Sequence, residues 1–222
     1  LMKNVLVNYG IKTKIEVIPT GIDYNSFAQS YGFKIRDELN LSPIHRIVSF
    51  AGRLGKEKNL YFLLRAFQLI QERDPAVILL IIGDGPEKRS LIHFSHSLKL
   101  KGKVVFLGYR QRREVLSILS QSDLFLFPSK TETQGLSLLE ALACGTPAVA
   151  IHAMGVVDVL KNDVGGFLVR EDEQEFAEKA GAILHDKTLH HKKAREAVLR
   201  AEEFSSYKMA EKLIQCYEDV LY

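Results

Sequence analysis

Cysteine is nearly absent: Cys144 and Cys216 are the only two in 222 residues. Two thiols are too few for a disulfide framework or a cysteine metal site, and they point to a reducing compartment. Long hydrophobic runs are missing as well. No apolar stretch approaches the ~20 residues that cross a bilayer, and the opening Leu1-Met2-Lys3-Asn4-Val5-Leu6 lacks a signal peptide's cleavage pattern. A soluble, cytoplasmic-side protein is therefore expected. Excess charge is small, with 30 Lys plus Arg against 27 Asp plus Glu and a formal net charge of +3. Bulk charge thus gives nucleic-acid binding no support. Neither internal repeats nor low-complexity tracts occur. What is present, 46% hydrophobic and 26% charged residues, matches a globular protein with a real core and excludes disordered, collagen-like and coiled-coil chains. A start at Leu1 in mid-pattern suggests a piece of a longer chain.

Short apolar runs rich in β-branched and aromatic residues alternate with longer segments of helical period, the pattern of a parallel sheet covered by helices. The predicted strands are Arg46 to Ala51, Ala76 to Ile82, Lys103 to Leu107, Asp123 to Phe127 and Pro147 to Ile151, with a weaker sixth at Gly166 to Val169. They are apolar on both faces, as strands between two helix layers must be. In Asn59 to Arg73, Leu60, Leu63, Leu64, Phe67 and Ile70 fall at i, i+3, i+4 spacing, with Asn59 as the expected N-cap. Glu87 to Leu100, Arg112 to Ser120, Leu136 to Cys144 and Glu171 to His185 are further predicted helices, the third of these four stopped by Gly145 and Pro147. Thr188 to Glu203 and Ser206 to Tyr222 read as closing helices, and Leu1 to Phe33 as a helix end, a strand near Lys14 to Ile18 and a turn. One Rossmann-like, doubly wound α/β domain accounts for nearly all of the chain.

In such a sheet, ligands bind beyond the carboxyl ends of the strands. After the first strand, Gly52-Arg53-Leu54-Gly55-Lys56-Glu57-Lys58-Asn59 is a glycine-bearing loop with cations at both ends, leading into a helix. It outlines an anion site in which Arg53 and Lys58 neutralise a diphosphate; the alternative is a solvated basic loop. After the second, Gly83-Asp84-Gly85-Pro86 has two glycines of a dinucleotide fingerprint but no third, and fits a bare turn as well. After the fourth, Glu132 lies in a loop, Gly135 opens a helix and Glu140 falls one turn after Leu136. Two carboxylates flanking a helix N-terminus suit a nucleotide-sugar, with phosphate in the middle and hydroxyls at both ends. A solvent-facing Glu140 is the alternative.

Glu132 to Glu140 is an E-x7-E motif, and it resembles the retaining nucleotide-sugar glycosyltransferases of the GT-B fold, glycosyltransferase family 4. Val17-Ile18-Pro19-Thr20-Gly21-Ile22-Asp23 is similar to the family's V-I-P-N-G-[IV]-D, and Gly52-Arg53-Leu54 with Lys58-Asn59 to its G-R-[LF]-x-x-x-K-[NG]. Gly83 to Pro86, Phe106-Leu107-Gly108-Tyr109, Pro128-Ser129 and Glu140 to Pro147 follow in the family's order, so the resemblance spans about Val17 to Phe167. It implies the C-terminal, donor-binding half of a GT-B fold. Residues 1–14 would then be the tail of a preceding or crossing helix, residues 15–205 the donor domain, and residues 206–222 a helix crossing back to a missing N-terminal domain. Arg53 and Lys58 would hold the donor diphosphate without a metal or other cofactor. Glu132 would contact the sugar hydroxyls, and Glu140 the ribose diol. The backbone at Gly135 and Leu136 would hold the phosphates and Tyr109 and Arg110 would lie near the base, while Gly52, Gly83 and Ser137 complete the donor site. The donor implied is a nucleoside-diphosphate sugar, UDP-linked for preference. The acceptor would be a glycan or lipid of the kind bacterial cell-envelope enzymes use, met in the full-length protein at the inner membrane face.

The chain departs from the family in two respects. Gln134 stands where many relatives have an aromatic residue, and the chain is too short for both GT-B domains. Competing readings are a nucleotide-sugar binding module and a nucleotide-sugar epimerase; a dehydrogenase is disfavoured because the first loop has no G-x-G-x-x-G. His93 and His96 at i, i+3 spacing read as surface histidines, since no third ligand matches. His190-His191-Lys192-Lys193, with Arg195 and Arg200, reads as a solvated helix face, and Cys144 as packing. Arg110, Arg112 and Arg113 divide evenly between the base site and solvent. A bare apolar face on the final helix would leave the chain a monomer or a weak dimer.

Overall fold

Six short apolar segments form the six strands of one sheet in a computed structural model that describes residues 2–28, 32–153 and 155–221. In chain order they are β1 (Arg46–Ala51), β2 (Val77–Ile82), β3 (Val104–Gly108), β4 (Leu124–Phe127), β5 (Ala148–Ile151) and β6 (Gly166–Val169). Every pairing is parallel, and the spatial order is β3-β2-β1-β4-β5-β6. This is the doubly wound Rossmann arrangement, with its switch point between β1 and β4.

Successive side chains of a strand point to opposite faces. Along β2, Val77, Leu79 and Ile81 enter one core while Ile78, Leu80 and Ile82 enter the other. The first core is covered by α3 (Leu60–Arg73), α4 (Lys88–Ser97) and α7 (Glu173–His185), and the second by α5 (Arg112–Ser120), α6 (Leu136–Ala143) and α8 (Lys187–Glu202). Burial on both sides explains why the strands read as continuous apolar runs. Of the remaining helices, α1 (Met2–Asn8) and α9 (Ser206–Leu221) are terminal, and α2 (Ile35–Glu38) is a single turn ahead of β1. Among the described residues no helix is long and apolar enough to cross a membrane.

Three expectations are corrected. The strand near Lys14 to Ile18 does not form: residues 11–20 are irregular and run beside α9, where Lys14 Nζ meets Asp219 at 3.3 Å. An alternating segment becomes a strand only beside another strand, and a helix occupies that place. Asn59 occupies the N-cap position of α3, its carbonyl accepting from Leu63 N–H at 3.3 Å, but its side chain makes no capping bond: the backbone is left-handed (φ 54°) and Nδ2 donates to Glu171 at 3.0 Å. Side-chain caps form elsewhere, among them Gln111 with Glu114 on α5, Asp172 on α7 and Asp186 on α8. The basic stretch of α8 is only partly solvated. Lys193 is buried, with Nζ bonded to the Asp163 carbonyl and lying 4.9 Å from the Phe167 ring centre, and His190 Nε2 sits 2.8 Å from the Asp123 carbonyl.

Candidate functional site

At the carboxyl edge of the sheet three loops are stitched together by backbone bonds. Gly52 N–H donates to Ile82 O, Gly83 N–H to Gly108 O at 2.8 Å, and Leu54 N–H to Asp84 O at 2.9 Å. The loops after β1, β2 and β3 thus form one floor. Glycine is what permits this contact: a Cβ on Gly83 would stand 2.0 Å from Gly52 O, and one on Gly85 2.5 Å from Leu54 O.

Two cavities open above that floor and meet at Ser137, in the first turn of α6. One, of 390 Å³, is lined by Gly52, Arg53, Gly83, Asp84, Tyr109, Arg110, Ser137 and Glu140, among others. The other, of 270 Å³, is lined by Thr20, Lys58, Glu132, Thr133, Gln134, Gly135, Leu136 and Ser137. Gly135 enters α6 with left-handed backbone (φ 73°), a conformation that glycine adopts without strain. Helix geometry leaves the N–H groups of the first turn without acceptors inside the helix, and adds partial positive charge there. This end of α6 lies between the two carboxylates.

Glu132 is held by Lys58 Nζ in an ion pair and by Ser129 Oγ at 3.1 Å, with both charged side chains about four-fifths buried. Glu140 is also largely buried. It accepts from Arg112 Nη1 at 2.7 Å, whose guanidinium lies 5.7 Å from the Phe27 ring centre. Burial raises the Glu140 carboxyl above its ordinary value, and Arg112 pulls it part of the way back. Asp84, tied to Lys88 Nζ at 2.6 Å and to Gly85 N–H, is held below the ordinary carboxyl value. Arg110 is bound to Glu38 and Glu114, and Tyr109 is 81% exposed. Arg53 is exposed and has no ion-pair partner among the described residues.

The structure therefore brings together all eleven residues singled out from the sequence. Gly52, Arg53, Gly83, Tyr109, Arg110 and Glu140 lie at one cavity, Lys58, Glu132, Gly135 and Leu136 at the other, and Ser137 at both. The solvent-facing alternative for Glu140 is overturned by its burial and by Arg112. Thr20, Asp84 and Gln134 also line the cavities without having been assigned roles. Thr20 and Asp84 were visible only as letters within longer motifs, and Gln134 only as an exception to one.

The chain matches the family profile of glycosyl transferases group 1 over residues 33–201. It belongs to that family. N-acetyl-alpha-D-glucosaminyl L-malate synthase of Bacillus anthracis is 31% identical over 212 residues, covering 93% of this chain and 54% of that protein. The UDP-Gal:alpha-D-GlcNAc-diphosphoundecaprenol alpha-1,3-galactosyltransferase of Escherichia coli is 29% identical over 216 residues, 94% of this chain and 55% of that one. A crystal structure of Anabaena HepE with UDP and glucose superposes with a TM-score of 0.80 at 25% identity, over 91% of this chain and 56% of that chain. As a group 1 glycosyl transferase sequence, the chain spans about half the length of the curated relatives it matches. The Rossmann-like GT-B architecture expected from the motifs is the one observed.

Proposed function

We propose that this chain is the donor-binding half of a retaining glycosyltransferase, and that its donor is a UDP-sugar. The observation that carries the reading is the pair of cavities meeting at Ser137, with Glu140 in one, Glu132 in the other and the α6 N-terminus between them. A nucleoside-diphosphate sugar has the matching order. Its ribose diol would donate to Glu140, the diphosphate would take the α6 N–H groups with Arg53 and Lys58, and the sugar hydroxyls would donate to Glu132. Lys58 has three donors, so it can keep Glu132 and still reach a phosphate oxygen.

Leaving-group charge would develop where Arg53 and Lys58 stand, which supports a reaction without a metal. Removing one such group costs ~3 to 4 kcal/mol of transition-state stabilisation by analogy with oxyanion sites. The acceptor, a glycan or lipid, would be bound by an N-terminal domain of the longer protein, and residues 206–222 would cross back to it. Turnover by this chain alone would be very slow, because catalysis requires a closed cleft that excludes water and positions the acceptor.

Calorimetric titration with UDP, GDP and ADP and their glucose conjugates, with and without EDTA, tests the reading. Expected is saturable, EDTA-insensitive binding of UDP and its conjugate, weakened at least about tenfold in Glu140→Ala and in Arg53→Ala. A folded chain that binds none of them at millimolar concentration would sink the assignment. A change of sugar configuration without an acceptor would make the protein an epimerase instead.

A further inference from the structure

The loop between β4 and α6 carries Gln134, whose side chain pairs with both polar groups of a single backbone unit. Oε1 accepts from Thr20 N–H at 2.7 Å, while Nε2 donates to the Thr20 carbonyl. Two bonds to one residue fix its position and its orientation together, as neighbouring strands hold each other in register. Thr20 and Gln134 both line the 270 Å³ cavity with Lys58 and Glu132, and neither lines the 390 Å³ cavity of Glu140.

Each partner of this clamp rests on a rigid support. Beyond Thr20, Ile22 N–H donates to Phe204 O at 2.9 Å and Ser206 N–H to Ile22 O at 2.8 Å. Gly21 approaches so closely there that an added Cβ would lie 2.4 Å from Ser206 Cα. On the other side, the backbone at Glu132 and Thr133 packs on Gly155, where an added Cβ would lie 2.4 Å from the Thr133 carbonyl carbon. The Gln134 amide joins these two supports across one side of the cavity.

We infer that Gln134 is a positioning residue that holds Thr20 as a wall of the donor-sugar pocket, so that it governs affinity for the sugar and not for the nucleotide. The inference rests on the donor-binding reading above. An amide suits the task because it offers one donor and one acceptor in a plane, matching the N–H and C=O of Thr20. Without it those two groups are exposed enough to turn to water, so the fold survives while the wall is released.

The test measures dissociation constants of the chain, Gln134→Ala and Gln134→Met for UDP, UDP-glucose, UDP-galactose and UDP-N-acetylglucosamine, with the melting temperature of each protein. Gln134→Met keeps the length of the side chain and removes both bonds. Expected is a UDP affinity unchanged within about twofold in both variants and a loss of about tenfold for the preferred UDP-sugar. Equal losses for UDP and UDP-sugar, no loss for either, or an unaltered chain that binds UDP and all three conjugates alike would each overturn the inference. If the unaltered chain binds no UDP at all, it is the donor-binding reading that fails, and the inference falls with it.

Discussion

Glu140 is a buried carboxyl under opposing influences. Desolvation pushes its pKa up, and Arg112 from α5 pulls it down without cancelling the rise. Cys144, just past the end of α6, has its thiol pushed up to about 12 by burial and by Glu140, so it is a neutral neighbour. Arg53, Asp84 and Arg110 are the other charged groups of the same cavity. A raised value favours the neutral acid in the folded chain, so Glu140 contributes stability below its unfolded value, and that contribution is lost as pH rises through the folded one. Nucleotide binding at the proposed site would run the opposite way, because the carboxylate can accept from both ribose hydroxyls and the neutral acid carries a donor of its own. UDP affinity is therefore expected to fall on acidification while the pH is still above the ordinary carboxyl value of 4.5. Arg112→Met, which removes the opposing cation, should move that loss to higher pH. Titrations between about pH 5 and 8 check both statements; a flat profile would show that Glu140 does not carry the nucleotide.

Among the elements, the loops after the strands are the least forgiving, because their backbones touch. Gly83 combines φ +131° with a Cβ position 2.0 Å from Gly52 O. Gly83→Ala is expected to lower stability by about 2 to 4 kcal/mol, since neither the strain nor the clash can be relieved without separating two loops. Gly102→Ala is the control: its φ is +79° but nothing lies within 4 Å of the added carbon, and a cost of about 1 kcal/mol is expected. Urea denaturation of the two variants measures the difference, and equal losses would mean that strain alone matters at Gly83. Strand positions were legible in the sequence at this scale because burial on both faces leaves short, β-branched apolar runs such as Val77 to Ile82, too short for a buried helix. The supposed strand at Lys14 to Ile18 was misread because local alternation cannot say what neighbour a segment will have. The capping bond expected of Asn59 is missing for a related reason: its side chain is drawn off by Glu171, 112 positions away.

For the molecule as a whole, a ligand that binds only the folded chain must stabilise it. UDP at a hundred times its dissociation constant should add about 2.7 kcal/mol to the unfolding free energy. That shift should appear in thermal melts and be unchanged by EDTA, because the proposed phosphate ligands are Arg53, Lys58 and backbone N–H groups. A melting temperature that does not move with UDP would count against the whole site.

Fold class, strand order along the chain and the family were determined by the sequence alone, because hydrophobic period and the short motifs around Gly52, Gly83 and Glu132 are local in the chain. The eleven candidate residues could be singled out for the same reason, since each belongs to a motif or stands beside one. What they do to one another was decided only by the tertiary structure. Lys58 and Glu132 are 74 positions apart, Arg112 and Glu140 are 28 apart, and Thr20 and Gln134 are 114 apart. Contacts at such separations are made by the order in which the sheet assembles its strands. No local pattern encodes them, so the burial of Glu140 and the clamp on Thr20 became visible only in the assembled fold.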